Sequence, residues 1–197
     1  MLVTTSPLVK TYTLDEFWEL PEPEGRYKLE LIRGVLFMVP PPDEKIHDPV
    51  VSCLNELIEE ELIRLGKPGR LFVPRSGIWT YYPDTWLEPD LFYLSVESMA
   101  RFKERPRTSA DLVIEVLSPR SVDHDRRTKA DSYAALEVKE LWLVDPETRT
   151  IEVRHNEGKK WKEMYRYGEG EILSCHAIPG LTIAVEAIFV ELPGTGS

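Results

Sequence analysis

Apolar and polar positions along the chain follow two periods. Tyr27, Leu29 and Leu31 alternate with Lys28 and Glu30, and Arg33-Gly34 is a turn signal before Val35 to Val39, so residues 27–39 read as a β-hairpin. After the Pro40 to Pro42 loop the period changes. Val50, Val51, Leu54, Leu57, Ile58, Leu62 and Leu65 recur at helical spacing, with Asn55, Glu56, Glu59, Glu60 and Arg64 on the other side and Gly66 as the C-cap. A shorter helix is expected from Thr13 to Leu20. Thr13 is followed three residues on by Glu16, a capping-box pair, and Pro21 and Pro23 stop the helix. Leu71 to Val73 and Gly77 to Tyr82 read as strands, Pro83-Asp84-Thr85 as a turn into one extended run from Trp86 to Leu94, and Ser95 as the cap of a helix reaching Phe102. Further on, Asp123 is placed to cap a helix running to about Leu136, and Glu140 to Val144 is another strand. The remainder reads as antiparallel: Thr150 to Arg154, a turn at Asn156-Glu157-Gly158, Trp161 to Tyr167, a turn at Gly168 to Gly170, and Leu181 to Val185. Met1 to Lys10 has no period and is expected to be a loose arm. With no repeat and no linker, residues 1–197 are expected to form one domain: a mixed α/β sheet flanked by helices, with hairpins near both ends.

One stretch breaks its own pattern. Asp111 to Leu117 (Asp-Leu-Val-Ile-Glu-Val-Leu) is β-branched and apolar enough for a buried strand, yet carries an acid at Glu115 where a hydrophobe belongs. An unpaired carboxylate in a low-dielectric interior costs several kcal/mol, so Glu115 requires a cation, a metal ion or a strand end open to water. In the helix that follows, Asp125, Lys129 and Tyr133 stand at successive four-residue spacings and share a face.

Glu115 follows another acid, in Pro89-Asp90, and the wider pattern has the same order as a known one. Leu29 to Gly34, Pro40 to Pro42 with His47, Pro89-Asp90-Leu91, Ile114 to Pro119, then Asp125, Lys129, Tyr133 and Glu140 to Pro146 resemble, in sequence and over nearly the whole chain, the PD-(D/E)XK or restriction-endonuclease-like nuclease superfamily. The likeness is to a bacterial branch of restriction-endonuclease homologues without an assigned reaction, in which the motif lysine has moved from the strand to the next helix. Leu117 stands where that lysine would follow the acid, and a helix starting soon after the strand would carry Lys129 back over the same point. The resemblance implies a restriction-endonuclease-like fold and a metal-dependent endodeoxyribonuclease using Mg²⁺, with Mn²⁺ able to substitute. It further implies Asp90 as the bridging ligand, Glu115 as its partner, the Val116 carbonyl as a third ligand, and Lys129 at the attacking water or scissile phosphate. The competing reading of Asp90 and Glu115 is a pair of capping or salt-bridged acids at strand ends. Glu30 is the next catalytic candidate, either a second-metal ligand or a plain solvent-facing strand residue. His47 is a contact to phosphate or water, or a surface or capping residue. Asp125 orients Lys129, or forms an ordinary i,i+4 ion pair with it. Tyr133 is read as packing, and Trp79, Tyr81, Tyr82 and Trp86 as base-stacking rings or, more cheaply, sheet packing.

Composition bounds these expectations. A hydrophobic fraction of 42% with 29% charged residues suits a folded globular chain. No apolar run approaches the roughly 20 residues of a bilayer span, and Met1 to Lys10 has no long apolar segment, so a cytoplasmic protein without a membrane partner is expected. Cys53 and Cys175 are too few for a disulfide framework or a zinc site and are read as packing residues. The formal net charge of −10 argues against a protein that coats nucleic acid. It is compatible with an acidic metal site beside a local basic strip, for which Arg101, Lys103, Arg105, Arg107, Arg120, Arg126 and Arg127 are candidates; with Glu104 and Asp123 interleaved, the strip reads equally as a solvated face. Three functions stay in view: a DNA endonuclease, dimeric through its late strands; a nuclease-fold protein that binds nucleic acid or a partner protein without cutting; and a metal-dependent hydrolase of another phosphoester.

Overall fold

The computed structural model describes residues 10–25 and 27–189. The arm expected over residues 1–10 therefore lies, apart from Lys10, outside the described residues. Helix α1 (Leu14–Trp18) has both halves of its capping box: Thr13 accepts from the Glu16 amide, and the Glu16 carboxylate accepts from the Thr13 amide. Strands β1 (Lys28–Ile32) and β2 (Val35–Val39) form the hairpin, turning through Arg33 and Gly34 at φ +51° and +77°. Two successive residues with positive φ match the right-handed twist of the strands, which is why Arg-Gly works here.

Helix α2 (His47–Arg64) ends with Gly66 and Lys67 in the left-handed region, and the Lys67 amide reaches back to the Leu62 carbonyl. Strands β3 (Gly69–Phe72), β4 (Ile78–Tyr81), β5 (Asp84–Leu87) and β6 (Leu91–Ser95) follow. The single extended run expected from Trp86 to Leu94 is two strands in two sheets. Pro89 has no amide hydrogen to give a ladder, and the chain changes sheets across Glu88-Pro89-Asp90. Helix α3 (Val96–Arg101) is capped by Ser95 as expected.

The central strand is β7 (Leu112–Val116), every residue of it buried. It pairs antiparallel with β6 and parallel with β8 (Glu140–Asp145), inside a six-stranded sheet completed by β3 on one side and by β9 (Thr150–Asn156) and β10 (Trp161–Tyr167) on the other. A second sheet has the order β2-β1-β5-β4. Near the C-terminus, β11 (Ile172–Ser174) and β12 (Thr182–Ala184) form a two-stranded sheet among the described residues, followed by the short helix α5 (Val185–Ile188). The strand expected at Leu181 to Val185 thus belongs to a small separate ribbon.

The period of β7 splits its side chains between two cores. Leu112, Ile114 and Val116 pack with Leu54, Ile58 and Leu62 of α2, while Val113 and Leu117 pack with Ala130, Tyr133, Leu141 and Leu143 on the opposite face. Glu115 shares the second face. The helix over that face departs from expectation. It is π-helical from His124 to Lys129 before continuing as α4 (Ala130–Ala135), and Asp123 makes no side-chain cap because it already lies inside the first turn. Ser121 acts at that end instead, its hydroxyl donating to Asp125.

The two acids of the stretch from Asp111 to Leu117 have different duties. Asp111 accepts from the Ser95 amide and Ser98 hydroxyl and pairs with Lys139, which ties α3 to the sheet. Cys175 is buried, as read from the sequence, against the Glu140 carboxylate, and half-buried Cys53 donates to the Ala187 carbonyl. Among the described residues no helix is long and apolar enough to cross a membrane.

Candidate active site

Five buried charged side chains, Glu30, Asp90, Glu115, Asp125 and Lys129, come from four separate stretches and gather on the α4 side of β7. Glu30 arrives through the alternation in β1: Leu31 packs with Leu14 and Phe17 on one face, and Glu30 points the other way and is wholly buried. The expectation of an acid facing away from Leu29 and Leu31 holds; its alternative, a solvent-facing residue, does not.

Asp90 occupies the bend between β5 and β6. Its Oδ2 accepts from the Val116 amide at 2.8 Å and from His47 Nε2 at 3.1 Å, while Lys28 Nζ lies 4.0 Å from Oδ1. The β6–β7 register ends at Leu91 and Ile114, which leaves the Val116 amide unclaimed by the ladder and open to Asp90. The amide and carbonyl of one strand residue point to the same side, so the Val116 carbonyl also faces the Asp90 side. Burial raises the Asp90 pKa, but the hydrogen bond and charge of His47, with Lys28 and Lys129, outweigh it and hold the carboxyl at about 2. His47 is the first residue of α2. Burial disfavours its charge, yet Asp90 and Asp48 together raise its pKa above the usual imidazole value.

Lys129 is the hub. Its ammonium lies 2.7 Å from Glu115 Oε1, 3.2 Å from Glu30 Oε1 and 3.6 Å from Asp125 Oδ1. Burial works against this charge, but the carboxylates around it, Glu115 first, raise the lysine well above its ordinary pKa. Tyr133 donates its hydroxyl to Glu115 Oε1 at 2.5 Å. The ring packs in the core, the reading favoured from the sequence, and the hydroxyl joins the acid cluster. His124, which the sequence reading did not single out, bonds Glu30 Oε2 through Nε2 at 3.1 Å with its ring against Phe37. Nothing in a single sequence distinguishes His124 from a surface residue of that helix.

The cluster holds more negative than positive charge. Burial pushes Glu115 up to about 8; Lys129 opposes this, and the charges of Asp90, Asp125 and Glu30 add to it. Glu30 goes the other way. Burial would raise it, but Lys129, His124 and Lys28 keep it below the usual glutamate value. Glu30 Oε1 is buried and meets the lysine as an ion pair without a well-aligned hydrogen bond. Among the described residues no three His, Cys, Asp or Glu side chains are pre-arranged about one point to hold a metal ion. The donor chemistry of Asp90 and Glu115, oxygen acids in a cluster short of positive charge, is of the kind that suits a hard divalent cation. Around the cluster, Arg126 of the expected basic strip is engaged with Asp145 and Glu152, and Arg107 is half-buried over Phe72 and Phe92.

A mixed sheet with helices on both faces and buried acids at the bend into β6 and on β7 defines a protein of the restriction-endonuclease-like class. A profile of the Uma2 family, described as "putative restriction endonuclease", matches residues 14–186, and the chain belongs to that family. The fold is similar to a crystal structure described as "a putative nuclease belonging to DUF820" from Anabaena variabilis, with a TM-score of 0.68, 22% sequence identity, and coverage of 90% of this chain and 97% of that one. Comparison with functionally curated proteins finds no match.

Proposed function

We propose that the protein is a Mg²⁺-dependent endonuclease hydrolysing DNA phosphodiester bonds. The observation that carries this reading is the meeting of Asp90, Glu115, Lys129 and Glu30 in one buried cluster, with Asp90 bound to the residue next to Glu115. In this reading Asp90, Glu115 and the Val116 carbonyl would hold the ion. When bound, a divalent cation lowers the pKa of water and neutralises charge developing on the phosphate.

The other tasks fall to the chain. His47 and the Val116 amide keep Asp90 ionised and fix its rotamer. Lys129, with its pKa raised well above the ordinary value, stays an ammonium at neutral pH, so it acts as a fixed positive charge and donor toward the phosphate or attacking water rather than as a base. Glu30, paired with that ammonium at 3.2 Å, would accept from the attacking water and aim it. Tyr133 and Asp125 hold Glu115 and Lys129 in place. Cutting both strands calls for two sites, and a homodimer formed along β10, the edge strand of the large sheet, would supply them.

Incubating the purified protein with supercoiled plasmid and Mg²⁺ tests the reading. Wild type is expected to nick it, and Asp90→Ala to lower the rate at least about a hundredfold, as loss of one group that acts on transition-state charge typically does. No nicking by wild type, or equal nicking by the variant, overturns it. Retarded DNA without nicks would instead mark a nuclease fold that binds without cutting.

A further inference from the structure

Asp90 lines a cleft of about 540 Å³ between α1, β1 and the start of α2. Lys28, His47 and Asp90 line it together with Phe17, Trp18, Tyr27 and Trp86. Two of these rings face water, Trp18 at 49% and Tyr27 at 44% exposed. Trp86 is held rigidly. Its indole lies so close to Gly77 that a Cβ there would come within 2.5 Å of it, its Nε1 donates to Glu88 at 3.2 Å, and Trp18 meets it edge-on at 4.5 Å. Of the four rings singled out as stacking candidates, only Trp86 lines this cleft. Trp79 pairs across the strands with Trp86, and Tyr82 is on the β4–β5 turn, 92% exposed.

The lining combines two kinds of group. Next to Asp90 stand cations, Lys28 and His47, suited to a phosphate. The exposed faces of Trp18 and Tyr27 share the lining with Glu22, Glu88 and Arg75, polar groups able to hydrogen-bond the edges of a stacked base. Asp90 is 5% exposed and lines this cleft, so a phosphate that approaches it from here brings its nucleotide into the cleft.

We propose that this cleft is a nucleobase subsite: the nucleotide beside the scissile phosphate enters unpaired and its base stacks against Trp18 and Tyr27, so the substrate is single-stranded or locally unpaired DNA. This rests on the nuclease reading for the placement of the scissile phosphate. Base stacking on aromatic side chains tolerates any sequence and adds substantially to affinity.

The test is fluorescence anisotropy with a labelled mixed-sequence DNA oligonucleotide, single-stranded or as a blunt hairpin duplex, in Ca²⁺ buffer to limit turnover. The wild type is expected to bind the single strand about tenfold or more tighter than the duplex, Trp18→Ala to lose that margin, and Trp18→Phe to recover most of it. Tyr27→Ala serves as a second variant, and circular dichroism establishes that each is folded. Equal affinity for the two DNA forms, indifference to both alanine substitutions, or binding of neither probe overturns the subsite. Plasmid nicking separates the two readings. Trp18-dependent binding without nicking sinks the nuclease and leaves the subsite; Asp90-dependent nicking with no preference for single strands does the reverse.

Discussion

Replacing Glu115 by glutamine should make the metal-free protein more stable at neutral pH. Glutamine keeps the size of the side chain and an oxygen that can accept from Tyr133 and Lys129, but cannot ionise. In the folded wild type the carboxyl holds its proton up to about pH 8, whereas the unfolded chain releases it near 4.5. Between those values the folded state binds more protons than the unfolded one, so this group makes stability fall as pH rises. At 1.36 kcal/mol per pK unit, the burden in wild type grows to about 3 kcal/mol at pH 7 and levels off above pH 8. Urea unfolding in EDTA, repeated from pH 5 to pH 8, should therefore show the two proteins nearly equal at the acid end and diverging steadily toward the alkaline end. Saturating Mg²⁺ should narrow the gap by stabilising wild type alone, with release of a proton on binding. Parallel stability profiles across this range, or a variant less stable than wild type at pH 8 without metal, would refute the account of Glu115 as a buried acid short of a counter-ion.

Two further outcomes follow from the same cluster. Lys129→Met strands the Glu30, Glu115 and Asp125 carboxyls in the interior, and should cost about 3–5 kcal/mol in urea unfolding at pH 7 as well as abolishing nicking; a loss under 1 kcal/mol would mean that the acids have other partners. Asp90→Asn should cost about 2 kcal/mol at neutral pH, since a carboxyl lowered from 3.8 to about 2 contributes stability that is complete above pH 3.8 and lost as the pH falls through 2; a deficit that persists unchanged at pH 2 contradicts this.

Residues whose significance depends on their own neighbours in the chain were legible in the sequence. Thr13 and Glu16 announce a capped helix, Arg33-Gly34 a tight hairpin, and the run from Asp111 to Leu117 a buried strand with one acid out of place. The alternation of Leu29 and Leu31 assigned Glu30 to the other face, and the spacing from Asp125 to Lys129 put those two on one side of a helix. Strand and helix periods are set by backbone geometry within a few residues, so the alternation of side chains reveals them.

Where those faces meet was decided only in three dimensions. Pro89 breaks one expected strand into two that join different sheets, and that break lets Asp90 reach the Val116 amide. The hydroxyl of Tyr133 on Glu115, the bond from His124 to Glu30 and the wall of Trp18 and Trp86 all join residues far apart in the chain. Such contacts leave no local period, because each side chain is consistent with ordinary packing or exposure until its distant partner is placed against it. The chain by itself determined which residues carry charge on which face; folding determined that four of those faces enclose the same small, poorly solvated space, where a lysine and an excess of acids acquire their chemistry from one another.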